Sequence, residues 1–377
     1  MKNKIYFKNL NGLRFIAALI VLLSHVPSFL TVFGVDKYFT SIFVSPIDGE
    51  VGVLLFFALS GFLITYLLFT EELQTGTISI KSFYIRRALR IWPLYFMLIF
   101  LGLFVLPFIG PLKFPAYDLA LIWKKLPQKI LFFCLFMPNI VLDFLGFVPY
   151  IMHSWTIGAE EQFYFIWPIL FKKIKNKIYI FIGVIVIYLF VYYFLRYAPS
   201  QNKYIQNSFL IWSRYPISSM AIGGIYAYLI FIKNATNNKI KEILFSKWVQ
   251  IIMLAILAFF VVLKFHFKFL HIEIYSILLG YQVCNLAANP NCIISIENKV
   301  LNYLGRISYG LYMFHMLAIG LAANTCLLFK YPHNILLYPL AILFAILIAS
   351  ITYFLLEKYF IRKKVNYSTV ISGDNAK

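Results

Sequence analysis

Runs rich in Leu, Ile, Val, Phe and Tyr recur along this chain, parted by short polar connections. They lie near 11–30, 51–70, 92–110, 153–171, 178–196, 213–232, 248–264, 272–288, 304–327 and 335–356. At about 1.5 Å of rise per residue, most are long enough to cross ~30 Å of hydrocarbon as a helix. The pattern predicts an all-α fold: a polytopic transmembrane helical bundle of about ten spans. No internal repeat is visible, and residues 1–364 read as one transmembrane domain followed by a short cytoplasmic tail, 365–377.

Composition agrees with the pattern. The chain is 62% hydrophobic and 13% charged, against about a quarter charged in soluble domains, which excludes an ordinary soluble enzyme. Net charge is +20, but Lys and Arg gather in short runs between apolar stretches: KNK at 2–4, RRALR at 86–90, KKIKNK at 172–177 and RKK at 362–364. That is the charge bias of cytoplasmic loops and of contact with anionic headgroups, not a groove for nucleic acid.

The same bias decides the stretch KILFFCLFMPNIVLDF, 129–144. If it crossed, KKIKNK would fall on the side opposite RRALR. It is therefore expected to be an additional re-entrant or interfacial segment, interrupted at Pro138, with both termini in the cytoplasm. The 112–128 loop, with Lys113, Lys124 and Lys125, then lies outside against the trend. The first run has a basic leader but no cleavage site, so it reads as a retained span. Cys134, Cys284, Cys292 and Cys326 are scattered without metal or disulfide spacing and read as small apolar residues.

Ionisable groups inside a span cost roughly 2.5–3.5 kcal/mol each on insertion, so they point to function. Arg14 and His25 lie on the first span, eleven residues apart, or about 16 Å on a helix. His25 suits a general base, and Arg14 suits a holder of an anionic or carbonyl-rich ligand. The plainer alternative is that Arg14 snorkels to headgroups and His25 ends the helix. His153 and Glu160 are two turns apart on the fourth span, hence on one face, and Glu160 either serves as acid or orienter or forms a structural ion pair. Arg87 and Arg90, at i and i+3, make a phosphate clamp or an ordinary inside anchor. Arg306, Ser308, Tyr309, Tyr312 and His315 follow helical spacing on the ninth span, and Glu357 closes the tenth. Gly52, Ser60 and Gly61 suit close helix approach. His266, His271 and His333 fall in outer loops as solvated residues. Nothing matches a metal-ligand set, a Walker loop or a nucleophile elbow.

As a set these stretches resemble the acyltransferase 3 family of integral-membrane O-acyltransferases. The resemblance rests on NGLRFIAALIVLLSH with Arg14 and His25, GVLLFFALSGFLI at 52–64, the Arg87/Arg90 pair, WTIGAEEQFYFIWP at 155–168, GRISYGLYMFH at 305–315 and EKYF at 357–360. Thr156, Gly158 and Ala159 depart from the usual Ser, Ser and Val, and Tyr359 replaces a common Pro.

The resemblance implies a multi-pass protein of the bacterial inner (cytoplasmic) membrane that uses acetyl-CoA or another acyl-CoA, without a metal. The phosphates would sit on Arg87 and Arg90, and the thioester would run past Arg14 to His25. The acceptor would be a hydroxyl of a cell-surface or lipid-linked glycan. The chain is expected to lack the extracytoplasmic hydrolase-like domain of some members. It would act either alone or with a separate extracytoplasmic acyl-accepting protein. Ten spans with buried charges also suit a proton-coupled transporter of a small solute or glycan precursor, and a sensor or scaffold is a third reading.

Overall fold

The computed structural model describes residues 3–33, 48–115, 117–198, 202–232, 235–329 and 336–372. Helices stand in all ten expected stretches: α1 (Leu10–Val32), α2 (Gly49–Thr75) and α3 (Ile80–Phe104) come first. A short α4 (Leu126–Cys134) leads to α5 (Trp155–Lys173), α6 (Ile178–Tyr197), α7 (Lys203–Ser213) and α8 (Ile217–Phe231). Then come α9 (Lys247–Val262), α10 (His271–Ala288), α11 (Lys299–Arg306), α12 (Ser308–Leu328), α13 (Leu337–Thr352) and α14 (Lys358–Lys364). Among the described residues, six helices are long and apolar enough to cross a membrane by length and composition, or up to seven if a bent pair ending in α9 counts as one span. Of the rest, α8 and α9 have 15 and 16 residues, about 22–24 Å at 1.5 Å per residue and short of a ~30 Å core.

Local chemistry sets the ends. Asp48 accepts from the Glu50 amide and caps α2, which ends at Gly76 in the left-handed region (φ 71°). Ser79 caps α3. The centre is packed by α1, α2, α8, α10 and α12. The α2–α8 contact depends on glycine: a Cβ on Gly61 would lie 1.9 Å from the Met220 carbonyl oxygen, and one on Gly223 2.0 Å from that of Ala58. The two backbones touch, as small-residue faces allow between apolar helices. α6 buries only Ile180, Phe181 and Tyr188 and leaves Val186, Phe190 and Phe194 exposed. A helix apolar all round and outward-facing belongs in lipid, and the chain is a multi-pass membrane protein.

The 129–144 stretch is not one helix. After the nine residues of α4 the chain turns through Phe136 (φ 56°), resumes at Pro138 and winds wide over 141–145. It is pinned from the side, Asp143 pairing with Arg214 at 2.8 Å and Asn139 accepting from Tyr215 at 2.7 Å. The helical fold has one small exception. Residues Asn3–Ile5 and Val370–Ser372 form a parallel strand pair, Asn3 opposite Val370, joining the two ends of the described chain.

Candidate active site

Helices α1, α2, α3, α5, α12 and α14 enclose a narrow cavity of about 190 Å³. At one end Arg14, Arg87, Arg90, Arg306 and Lys364 line it, with Glu160 and Glu357. Five cations against two carboxylates leave an excess of positive charge, which favours a polyanion. Glu160 is held from both sides: its Oε1 accepts from Ser60 Oγ at 2.8 Å and its Oε2 from the Tyr164 hydroxyl at 3.0 Å. Half-buried Arg87 lies 5.6 Å from the Tyr164 ring centroid and 5.9 Å from that of Phe83, and its Nε is buried with no partner among the described residues. Arg14 Nη1 donates to Asn11 Oδ1 at 3.0 Å, Tyr309 donates to the Ile91 carbonyl at 2.9 Å, and Ser308 donates to the Gly305 carbonyl at 2.8 Å.

The other end closes on Tyr312 and Thr156, whose oxygens are 2.5 Å apart. Behind Tyr312 three histidines from distant parts of the chain meet. His315 lies 5.0 Å from His25 and 4.5 Å from His153, ring to ring, and Tyr312 is 5.5 Å from both His153 and His315. Each ring has one nitrogen on a backbone carbonyl: His25 Nδ1 on Val21 (2.8 Å), His153 Nε2 on Met313 (3.0 Å) and His315 Nδ1 on Tyr312 (2.5 Å). A carbonyl only accepts, so that nitrogen carries the proton and the neutral ring keeps its lone pair on the other. The other nitrogens of His153 and His315 are buried without a partner among the described residues, and His25 keeps Nε2 as its basic nitrogen. Among the described residues no His, Cys, Asp and Glu group is arranged to hold a metal ion.

Several sequence expectations change. His153 and Glu160 do not share a helical face. Gly146 and Tyr150 take positive φ, the chain stays coiled tight through a 3₁₀ turn at Met152–Ser154, and α5 begins only at Trp155. His153 therefore joins the histidines, while Glu160 joins the arginines. Arg306 is not inside a continuous ninth span: the helix breaks at Ile307, and Arg306 ends the separate α11 at the cavity. The same cavity lining includes Arg14 but none of the three histidines, so Tyr312 and Thr156 intervene on the expected path to His25. Ser60 holds Glu160 rather than serving close approach. His271 is not a loop residue: it begins α10, half-buried, with Nε2 3.6 Å from Glu50. His266 is exposed, 4.1 Å ring to ring from His271, and His333 lies outside the described residues. The sequence pattern does not single out Lys364 or Tyr164: Lys364 sits in RKK, which reads as an anchor, and the one local signal for Tyr164 is its place one turn after Glu160.

A family profile described as an acyltransferase domain matches residues 7–354. A Staphylococcus aureus (strain COL) protein provisionally named an O-acetyltransferase is 25% identical over 94% of this chain and 57% of its own length. The peptidoglycan O-acetyltransferase OatA of Listeria monocytogenes (serovar 1/2a, strain EGD-e) is 25% identical over 82% of this chain and 49% of its own. The chain thus spans about half the length of these relatives. No solved structure matches it. With the match covering nearly every element that builds the cavity and the histidine cluster, the chain belongs to the acyltransferase 3 family.

Proposed function

We propose that this protein is a membrane O-acetyltransferase that takes an acyl group, acetyl in the first instance, from acyl-CoA and passes it to a hydroxyl of a cell-surface or lipid-linked glycan. The observation that carries this reading is the cationic cavity whose lining includes Tyr312, against which pack the His153 and His315 rings, each with a nitrogen unpartnered among the described residues. Arg87 and Arg90, with Arg14, Arg306 and Lys364 around them, hold the phosphates of the donor at the charged end. The narrow space suits its pantetheine arm rather than its nucleotide, and the arm runs past Tyr309 toward Tyr312.

In the transfer step the glycan hydroxyl oxygen attacks the thioester carbonyl carbon. The C–O bond forms, the C–S bond breaks, His25 Nε2 takes the hydroxyl proton and returns it to the departing thiolate. The negative carbonyl oxygen of the intermediate needs a donor, and the Tyr312 hydroxyl, which lines the cavity, supplies it by turning from the His153 carbonyl that it meets at 3.2 Å. Glu160, held by Ser60 and Tyr164 within the cavity, acts as a fixed negative charge among the cations and not by moving the proton. The charge pattern supports a donor from the cytoplasm, both termini there, and residence in the bacterial inner membrane.

Membranes carrying the protein, incubated with [¹⁴C]acetyl-CoA, are expected to release free CoA and to label carbohydrate. Both signals should vanish in His25→Ala. Accumulation of an unmodified solute with no acetyl-CoA turnover would overturn the proposal and favour a carrier.

A further inference from the structure

A second cavity, of about 570 Å³, lies at the side of the bundle formed by residues 102–122 and 149–150. Its size is that of a small-molecule site, roughly 300–1,000 Å³. Phe114, Tyr117 and Tyr150 supply aromatic surface, and Lys113 and Asp118 stand exposed at its edge. Phe114 meets Tyr150 at 5.6 Å and Tyr117 at 5.9 Å, ring to ring.

Its walls are fastened. The Tyr150 hydroxyl donates to the Leu112 carbonyl at 3.0 Å, and Trp123 Nε1 donates to the Leu103 carbonyl at 2.9 Å. Fully buried Lys129 reaches the Leu121 and Ile122 carbonyls at 3.3 and 2.9 Å. Asp118 caps the helix Leu119–Trp123 through one oxygen, leaving the other for a ligand.

Its position relative to the histidines gives it a role. The three segments that bring His25, His153 and His315 together also meet one layer further along. Phe29 lies four residues after His25 on α1, Tyr150 three residues before His153, and Gly320 five residues after His315 on α12. Phe29 lies 6.3 Å from Tyr150 and 5.4 Å from Phe114, ring to ring. Gly320 is required there, since a Cβ would fall 2.7 Å from the Tyr150 ring. Along α1 and α12 the order is therefore charged cavity, histidine layer, aromatic layer, second cavity. On α1 the histidine and aromatic layers, at His25 and Phe29, are about one helical turn, or 5.4 Å, apart.

We infer that the second cavity is the acceptor subsite, taking a pyranose unit of the glycan against Phe114, Tyr117 and Tyr150 with Lys113 and Asp118 on its hydroxyls. This rests on the acyltransferase reading above. Aromatic faces joined to a few polar groups at the rim suit a ring that is apolar on its C–H faces and polar at its edge. A lipid tail would have no use for Lys113 and Asp118. The donor then approaches the histidine layer from one side and the acceptor from the other, and only the acyl group passes between.

The test compares wild type with Tyr117→Ala, and with the exposed-rim pair Lys113→Ala and Asp118→Asn, in native membranes that hold their own glycan. Two quantities are read: the initial rate of ¹⁴C transfer from acetyl-CoA to carbohydrate, and the Kd for acetyl-CoA on purified protein in nanodiscs. Expected is at least a tenfold slower transfer in Tyr117→Ala and a three- to tenfold slower transfer in the rim variants, with Kd within twofold of wild type. Wild-type transfer rates in all three variants would overturn the subsite. If Tyr117→Ala also loses acetyl-CoA binding, its fold is damaged and the rim variants decide alone. Failure of wild type to label carbohydrate at all overturns the acyltransferase reading, and the subsite with it.

Discussion

Replacing Arg87 by Met keeps the length of the side chain and removes its charge. In the structure the side chain is half-buried, its guanidinium faces the Tyr164 and Phe83 rings at 5.6 and 5.9 Å, and its Nε is buried without a partner among the described residues. If that group meets a donor phosphate, the lost charge-assisted hydrogen bond is worth about 1.5–3 kcal/mol. At 1.4 kcal/mol per factor of ten, acetyl-CoA binding should weaken roughly 10- to 150-fold. Arg87→Lys keeps the charge but not the forked geometry and should fall between the two. The lost ring contacts, at about 0.5–1 kcal/mol each, should lower thermal stability slightly. The assay is equilibrium binding of [³H]acetyl-CoA to protein in nanodiscs at several salt concentrations. Repeating it with the 3′-dephospho donor tells which phosphate the arginine meets, because a shared contact makes the two losses non-additive. An Arg87→Met protein that is folded and binds acetyl-CoA as tightly as wild type would refute the placement of the donor in this cavity.

Four further outcomes are expected. His25→Ala should lower transfer by about 10²–10⁴, the usual contribution of a general base, while the Kd for acetyl-CoA stays within twofold; an equal fall in binding would argue for a structural role. Tyr312→Phe removes the hydroxyl that lies 2.5 Å from Thr156, and should reduce kcat more than donor binding, a split read directly from saturation curves. Gly61→Val puts a branched side chain where even a Cβ meets the Met220 carbonyl at 1.9 Å, so overpacking should cost more than the usual 1–3 kcal/mol and yield aggregated protein on size exclusion. Lys129→Met leaves the Leu121 and Ile122 carbonyls without the donor they share, for a loss of about 1–3 kcal/mol visible as a lower melting temperature.

Much of this protein is readable before folding is considered. Runs of apolar residues of span length have no soluble alternative, so the helical membrane bundle follows from the pattern itself. The break in 129–144 follows from Pro138 and from where the lysines fall. Arg87 and Arg90 announce themselves by spacing, since helical periodicity states which residues of one helix share a face.

That periodicity is silent on which faces meet, and there the tertiary structure decided. Arg14, Arg87, Arg306 and Lys364 come from four different helices, and nothing local relates them. Each of His25, His153 and His315 is the only histidine in its stretch, and no spacing relates one of them to another. They become a cluster only because α1 and α12 pack together and the coiled 146–154 segment inserts beside them. The same coil, set by positive φ at Gly146 and Tyr150, separates His153 from Glu160 where spacing alone would pair them. Contacts of this kind depend on where backbones can approach, as at Gly61 and Gly223, and that is a property of two surfaces and not of one sequence window.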